Sequence, residues 1–182
     1  MFISESGLDI GNIATTGNSA DGGFDSYLLT GTEVSGLLTG TIAQRERFNG
    51  TIFTLDNTEA GTFDLAYDNA YEVPTSLADV RGTYTASFTS GFSETYTFDA
   101  DGTFTGSDTN GCIYAGSLAI INANYAVLEL NGTVSACTDE PTLSSFNGLL
   151  AFERANTDTN DLIIAAGAGE AGAFLALLEK TD

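Results

Sequence analysis

Histidine and tryptophan are absent from this chain of 182 residues, and lysine and arginine together number only 5. Without His there is no Ser–His–Asp triad, no Cys–His dyad and no His-ligated zinc or haem. The 5 cations face 25 Asp and Glu, a formal charge of −20. Such a charge repels phosphate backbones and anionic membrane surfaces, which excludes nucleic acid as a partner. No run of about 18 apolar residues is present, so no transmembrane helix is expected. The start, Met1-Phe2-Ile3-Ser4-Glu5-Ser6, lacks a basic stretch and a long apolar run and does not read as a signal peptide. The expectation is either a cytosolic chain or a mature or truncated piece with an added Met.

What is present argues for a folded chain. The hydrophobic fraction is 42%, with 12 Phe and 7 Tyr, whereas disordered acidic chains are poor in aromatic and β-branched residues. Helical periodicity is nearly missing. Short runs rich in Thr, Tyr, Phe, Ile and Val alternate with Gly, Asn and Asp, which is the pattern of strands and turns. Gly82–Phe88 and Phe92–Phe98 alternate with period two, and Asp101-Gly102 is a hairpin signal before Thr103–Gly106. Further strands are read at Cys112–Ile120, Tyr125–Asn131, Phe146–Phe152, Leu162–Ala166 and Ala173–Leu178, with a loop at 137–141 and a polar turn at 156–161.

These runs predict an all-β fold: an antiparallel meander forming an eight-stranded β-barrel in the C-terminal part, with a β-sandwich as the alternative. Additional N-terminal strands are expected at Phe24–Thr30, Glu33–Ala43, Phe48–Leu55 and Gly61–Tyr67. One helical turn is expected at Ser76–Val80, capped by Thr75 or Ser76. The division expected is an N-terminal β segment, 1–75, and a barrel, 76–182, as two parts or one continuous domain.

Cys112 opens one strand and Cys137 follows the next. A hairpin turn at Asn122–Asn124 places residue 112 roughly opposite residue 134, so a short loop return brings Cys137 within reach. A structural disulfide is expected, and with it an oxidising compartment; buried free thiols are the alternative. The spacing is far from a Cys-x-x-Cys redox motif.

Several side chains are candidates for chemistry. Glu94 shares strand parity with Tyr96 and Phe98, so an inward carboxylate is expected, and Glu129 and Glu153 are further strand acids. Tyr84, Tyr96, Tyr114 and Tyr125 are read as core or as a stacking wall for a ligand. Asp99-x-Asp101-Gly102 resembles the front of an EF-hand loop, but the twelfth position is Asn110 rather than Glu. A hairpin turn is the simpler reading there. Asp99, Asp101 and Asp108 are the candidate ligands of a weak calcium site, and no other cofactor is expected. Arg45 and Arg47 are read as sharing a strand face and pairing with surface acids, with anion binding as the sharper alternative.

The segment Phe63–Leu77 followed by Gly82-Thr-Tyr84, then Asp101-Gly-Thr-Phe104-Thr-Gly106, Gly111-Cys112-x-x-x-Gly116 and Asn124-Tyr125 ahead of Cys137, resembles a family of uncharacterised proteobacterial lipoproteins. The resemblance runs over roughly residues 35–179. It implies a small secreted β-barrel behind a lipidated N-terminal Cys, loosely similar to calycins and to surface-lipoprotein barrels of the transferrin-binding type. This chain departs from the pattern in having no lipobox Cys and shortened N-terminal strands. The implied function is non-enzymatic binding of a small ligand or a protein outside the cytoplasm, with membrane contact only through an anchor absent from this chain. The alternatives are an assembly subunit using Phe2–Ile13 for strand pairing with a neighbouring subunit, and, with no constellation to support it, a hydrolase.

Overall fold

A strand with period-two alternation presents one face to water and the other to a core. The computed structural model describes residues 2–4, 7–28, 32–69, 71–88, 91–138, 144–153, 161–169 and 172–181. The chain is all-β and divides at Asn69–Ala70 into two units, each described by itself.

The N-terminal unit is a six-stranded antiparallel meander of β1 (Phe2–Ser4), β2 (Gly7–Thr16), β3 (Ser19–Leu28), β4 (Glu33–Ala43), β5 (Arg47–Thr54) and β6 (Glu59–Ala66), paired in sequence order. Register places Phe24, Leu38, Phe48, Ile52 and Phe63 on one face and Asp21, Thr39, Thr51 and Asp64 on the other. Aromatic rings lie over glycines on the apolar face: a Cβ on Gly36 would meet the Phe24 ring at 2.5 Å, and one on Gly50 the Phe63 ring at 2.9 Å. Aromatic cover of this kind compensates for the side chain a strand glycine lacks.

Two expectations change here. Residues 2–13, read as free for a neighbouring sheet, are used within the chain: β1 pairs with Gly7–Asp9 and β2 pairs along its length with β3. Gly11, Gly22 and Gly23 dilute the hydrophobic pattern, which is why the hairpin was not evident in the sequence. The outer edge of β2 from Ile10 to Thr16 has no partner strand among the described residues. Arg45 is in the β4–β5 turn at φ 60° rather than on a strand face with Arg47. Arg47 itself pairs through Nε and Nη2 with Asp64 on the next strand.

The C-terminal unit opens with one helical turn, α1 (Leu77–Val80), whose N-cap Ser76 donates both N–H and Oγ to the Asp79 carboxylate at 2.8 and 2.7 Å. Residues 71–75, expected with the N-terminal part, belong to this unit. The Tyr71 carbonyl accepts from Ala126 N at 2.8 Å, and the Tyr71 and Tyr125 rings stack at 5.5 Å. Then follow β7 (Gly82–Ser87), β8 (Ser93–Phe98), β9 (Thr103–Asp108), β10 (Ile113–Ile120), β11 (Val127–Ser135), β12 (Ser144–Glu153), β13 (Leu162–Gly169) and β14 (Gly172–Lys180). Each strand pairs with the next and β14 pairs with β7, so the meander closes as an eight-stranded barrel. The Asp99–Gly102 hairpin between β8 and β9 is as expected, with Gly102 at φ 90°, a conformation that suits glycine. The loop at 137–141 and the turn at 156–161 lie largely outside the described residues.

Hydroxyls face outward on β7–β9, where Thr83–Thr97 and Thr85–Thr95 approach across the ladder at 3.5 and 3.3 Å. The inward residues divide the interior into two levels. At one end Tyr84, Leu128, Phe152 and Ile163 pack under Val80 of α1, and Phe98 and Leu178 of the same cluster border the open level. At the other end the interior is open. Ring-over-glycine pairs recur around the inner wall: Tyr96 over Gly106, Phe104 over Gly116, Phe146 over Gly132 and Phe174 over Gly167. Small residues on the wall leave room above the packed end.

Cys112 and Cys137 form a disulfide, 25 residues apart. The register differs from expectation: Ile113 pairs with Ser135, two residues beyond the expected partner. Tyr125 is the reason, because its N–H closes a turn on the Asn122 carbonyl at 3.0 Å and β11 starts only at Val127. The disulfide fits an oxidising, extracytoplasmic compartment. Replacing both cysteines by serine removes a cross-link over a loop of 25 residues. By loop-closure entropy this is expected to cost about 3 kcal/mol in urea unfolding. A loss under ~1 kcal/mol would mean the link adds little to folding.

Candidate functional site

The open end of the barrel encloses a cavity of about 660 Å³. It lies at the end that carries the β7–β8, β9–β10 and β13–β14 turns, opposite α1. Its floor is Phe98, Phe104, Leu130 and Leu150, and its walls include Phe146 and Phe174, whose rings meet edge to face at 5.1 Å. The disulfide and Ser144 stand on one side of the mouth, and Phe88 and Phe92, 5.5 Å apart, on another. Among the described residues the β14–β7 ladder shows two register pairs, Glu179–Thr85 and Lys180–Tyr84, continued by Thr181 N–H donating to the Thr83 carbonyl at 2.8 Å. Beyond that short seam Phe88 and Leu175 join the cavity lining, and both are exposed, 46% and 48%.

Glu94 is the one buried carboxylate among the described residues, 9% exposed and lining the cavity. β8 places it there because Glu94, Tyr96 and Phe98 alternate inward. Tyr96 Oη donates to Glu94 Oε2 at 3.1 Å. Across the ladder Glu94 pairs with Asp108 of β9. Asp108 is fully engaged: Oδ1 accepts from the backbone N–H groups of Asn110 and Cys112 at 2.8 and 3.0 Å, and Oδ2 from Tyr114 Oη at 2.7 Å. Asp108 thus shapes the turn that presents Cys112 and holds the Tyr114 ring 5.3 Å from that of Tyr96.

Burial pushes the Glu94 carboxyl above its ordinary range, the Tyr96 hydrogen bond pulls it partly back, and the Asp108 charge raises it further. The phenols of Tyr96 and Tyr114 are also raised, first by burial and then through the neighbouring carboxylates, so both remain donors at neutral pH. The raised Glu94 has a stability consequence. Between the ordinary carboxylate range and the raised one, the folded barrel holds a proton that the unfolded chain has released. Stability therefore falls as pH rises through that window, and the loss persists above it. Glu94→Gln is expected to raise Tm at neutral pH, with the gain vanishing as the pH drops below the carboxylate range. A lower Tm at neutral pH would contradict this.

Of the candidate ligand residues, Glu94, Tyr96 and Tyr114 are brought together on the cavity wall. Tyr84 is fully buried in the packed end, beneath Lys180, whose Nζ is 5.7 Å from the ring centroid. Tyr125 stacks on Tyr71 in the lead-in and takes no part in the cavity lining. Glu129 and Glu153 point outward and are exposed, and Glu129 accepts from Asn131 Nδ2 at 3.1 Å.

The calcium candidates are not assembled. Asp101 Oδ1 accepts from Thr103 N and Oγ1 at 2.9 and 2.7 Å, which makes Asp99–Gly102 a self-satisfied turn. Asp108 is at the far end of β9, about 17 Å along the strand by its rise per residue. No cluster of three metal-ligating side chains occurs among the described residues.

Phe88, Phe92, Val134, Ser144, Phe146 and Phe174 line the cavity without having been singled out in the sequence. The usable signal was the recurrence of an aromatic residue across the ladder from a glycine, as in Phe146 and Gly132. No protein-family profile, curated protein or solved structure matches the chain.

Proposed function

We propose that this is a non-enzymatic, extracytoplasmic bacterial domain, of the lipoprotein kind it resembles, that binds a small apolar ligand in the open end of its barrel. The cavity supports this reading most directly. Its 660 Å³ falls within the roughly 300–1,000 Å³ typical of small-molecule sites, and it combines an apolar lining with a few converging polar groups. The short β14–β7 seam offers a lateral way in beside Phe88 and Leu175. Periplasm, outer surface and secretion are all compatible with the disulfide.

The test is a fluorescence titration with the neutral apolar dye N-phenylnaphthylamine. Saturable binding at one site per chain is expected. Val134, half-buried in the cavity wall as ladder partner of Tyr114 and Ser144, is the place to obstruct it. Val134→Trp is expected to abolish dye binding while changing stability by no more than about 1 kcal/mol, as for substitutions outside the packed core. Failure to bind the dye, or dye binding indifferent to Val134→Trp, would remove the support for a cavity ligand. An assembly role is the second reading, favoured by the unpaired outer edge of β2. It predicts a concentration-dependent mass in light scattering that Ile13→Pro, on that edge, returns to the monomer value.

A further inference from the structure

Glu94 is a buried acid for which the described chain supplies no counter-charge. Oε2 accepts from Tyr96, whereas Oε1 accepts from no described residue. None of the described residues lining the cavity is Lys or Arg. Arg47 is held by Asp64 in the N-terminal unit, and Lys180 is paired with Asp161 at 3.5 Å on the packed end, away from the cavity lining. A buried ionised carboxylate is costly unless paired. Tyr96 hydrogen-bonds Glu94, the Tyr114 ring lies 5.3 Å from that of Tyr96, and Phe88 and Phe92 line the same cavity. Aromatic faces carry negative quadrupole charge and attract cations, most strongly when water is excluded. Asp108 adds a second negative charge next to Glu94, and both of its oxygens already accept hydrogen bonds. Both phenols already donate to carboxylates, so neither is turned to an incoming anion.

An anionic ligand would meet repulsion here, and a wholly apolar one would leave Glu94 uncompensated. We propose that the cavity binds an amphiphilic cation, its ammonium group seated on Glu94 among the rings of Tyr96, Tyr114, Phe88 and Phe92 and its apolar body against Phe146 and Phe174. The inference rests on the reading of the barrel interior as a binding cavity.

The experiment compares three probes of one chain length, decylammonium, decanol and decanoate, as competitors of N-phenylnaphthylamine on the full chain at fixed ionic strength and neutral pH. Decylammonium is expected to bind at least about tenfold more tightly than decanol, the scale of a desolvated ion pair with cation–π contacts, and decanoate most weakly. Glu94→Gln is expected to bring decylammonium down to the affinity of decanol and to leave decanol unchanged.

The unmutated protein supplies a second readout. The groups facing Glu94 that can titrate are Tyr96 on its own strand, Asp108 on β9 and Tyr114 on β10, while β7 places Ala86 opposite it. The phenols stay neutral through the acid range. The advantage of the amine should therefore fade as acid neutralises Glu94, with decanol showing no such trend. Decanol equal to or better than decylammonium would overturn the inference and leave the cavity reading intact. So would an amine preference that survives Glu94→Gln, since the preference would then arise from the overall charge of −20. Failure of the dye and all three probes to bind would overturn the cavity reading itself. Should Glu94→Gln not fold, the pH series alone decides: an amine preference flat across the acid range overturns the proposal.

Discussion

Gly148→Val is expected to prevent the barrel from closing. Gly148 is an inward position on β12, ladder partner of Leu130 on one side and Gly167 on the other. A Cβ at that site would lie 2.1 Å from the Ala166 carbonyl oxygen and 2.5 Å from the Gly167 Cα. Both are backbone atoms of β13, so relief requires the strand itself to move, not a side chain to rotate. Valine adds two methyl groups beyond that Cβ, and the β12–β13 ladder is one of eight that must all form for closure. The loss should exceed about 4 kcal/mol, the range reserved for severe steric and backbone conflicts. Urea unfolding followed by circular dichroism measures it. Leu149→Val, next door on the outer face and only half-buried, is the control, expected to cost less than about 1.5 kcal/mol. Similar midpoints for the two variants would show that the wall can yield where the geometry says it cannot.

Leu128→Ala is the second large effect expected, and it acts at the opposite end. Leu128 is 1% exposed, pairs with Ile120 and Leu150, and belongs to the cluster beneath Val80 rather than to the cavity lining. Truncation leaves a void beside Leu150, its inward ladder partner, within the buried cluster that also holds Phe152 and Ile163 on strands paired on both sides. The cost should be about 3–4 kcal/mol, lost transfer energy plus an unfilled cavity. Dye binding by the folded fraction should be unchanged, because Leu128 itself does not line the cavity. A loss under about 1 kcal/mol would mean the end can collapse onto the gap. Loss of dye affinity in a folded variant would show that the two levels are coupled.

The contrast between Leu128 and Val134, both inward residues of β11, shows how far strand pattern carries. Parity tells which face a residue occupies. It does not tell the height along the barrel axis at which its side chain sits. Tyr84 and Tyr96 are ladder partners with the same inward parity, yet one is buried in the packed end and the other lines the cavity. Strands in a closed barrel tilt by about 35–45°, so each register partner is displaced along the axis from the last. That displacement is a property of closure, and closure depends on β14 meeting β7 across nearly the whole unit.

Local chemistry explains the parts that were legible. Thr and aromatic alternation over Gly82–Phe98 is enough to define β7 and β8, because each strand needs only its own two faces. The Asp99–Gly102 turn follows from Asp and Gly alone. Ser76 and Asp79 cap α1 without help from elsewhere. The β2–β3 hairpin failed to declare itself because its glycines gain meaning only when a ring from another strand covers them, as Phe24 covers Gly36. The start of β11 was misplaced because Tyr125 has strand propensity but is captured by a turn and by Tyr71.

By itself, then, the sequence determined an acidic, His-free, all-β chain with two cysteines spaced for a cross-link and Glu94 on an inward face. Those are consequences of composition and period-two patterning, which act over a few residues. Tertiary structure alone decided that Glu94 reaches an open level of the barrel while Tyr84 does not, that Asp108 is engaged by a turn and a phenol, and that among the described residues no cation answers Glu94 from the walls. Each of those depends on strands far apart in the chain meeting at a particular height and tilt, and pairing across such distances is set by closure rather than by local preference.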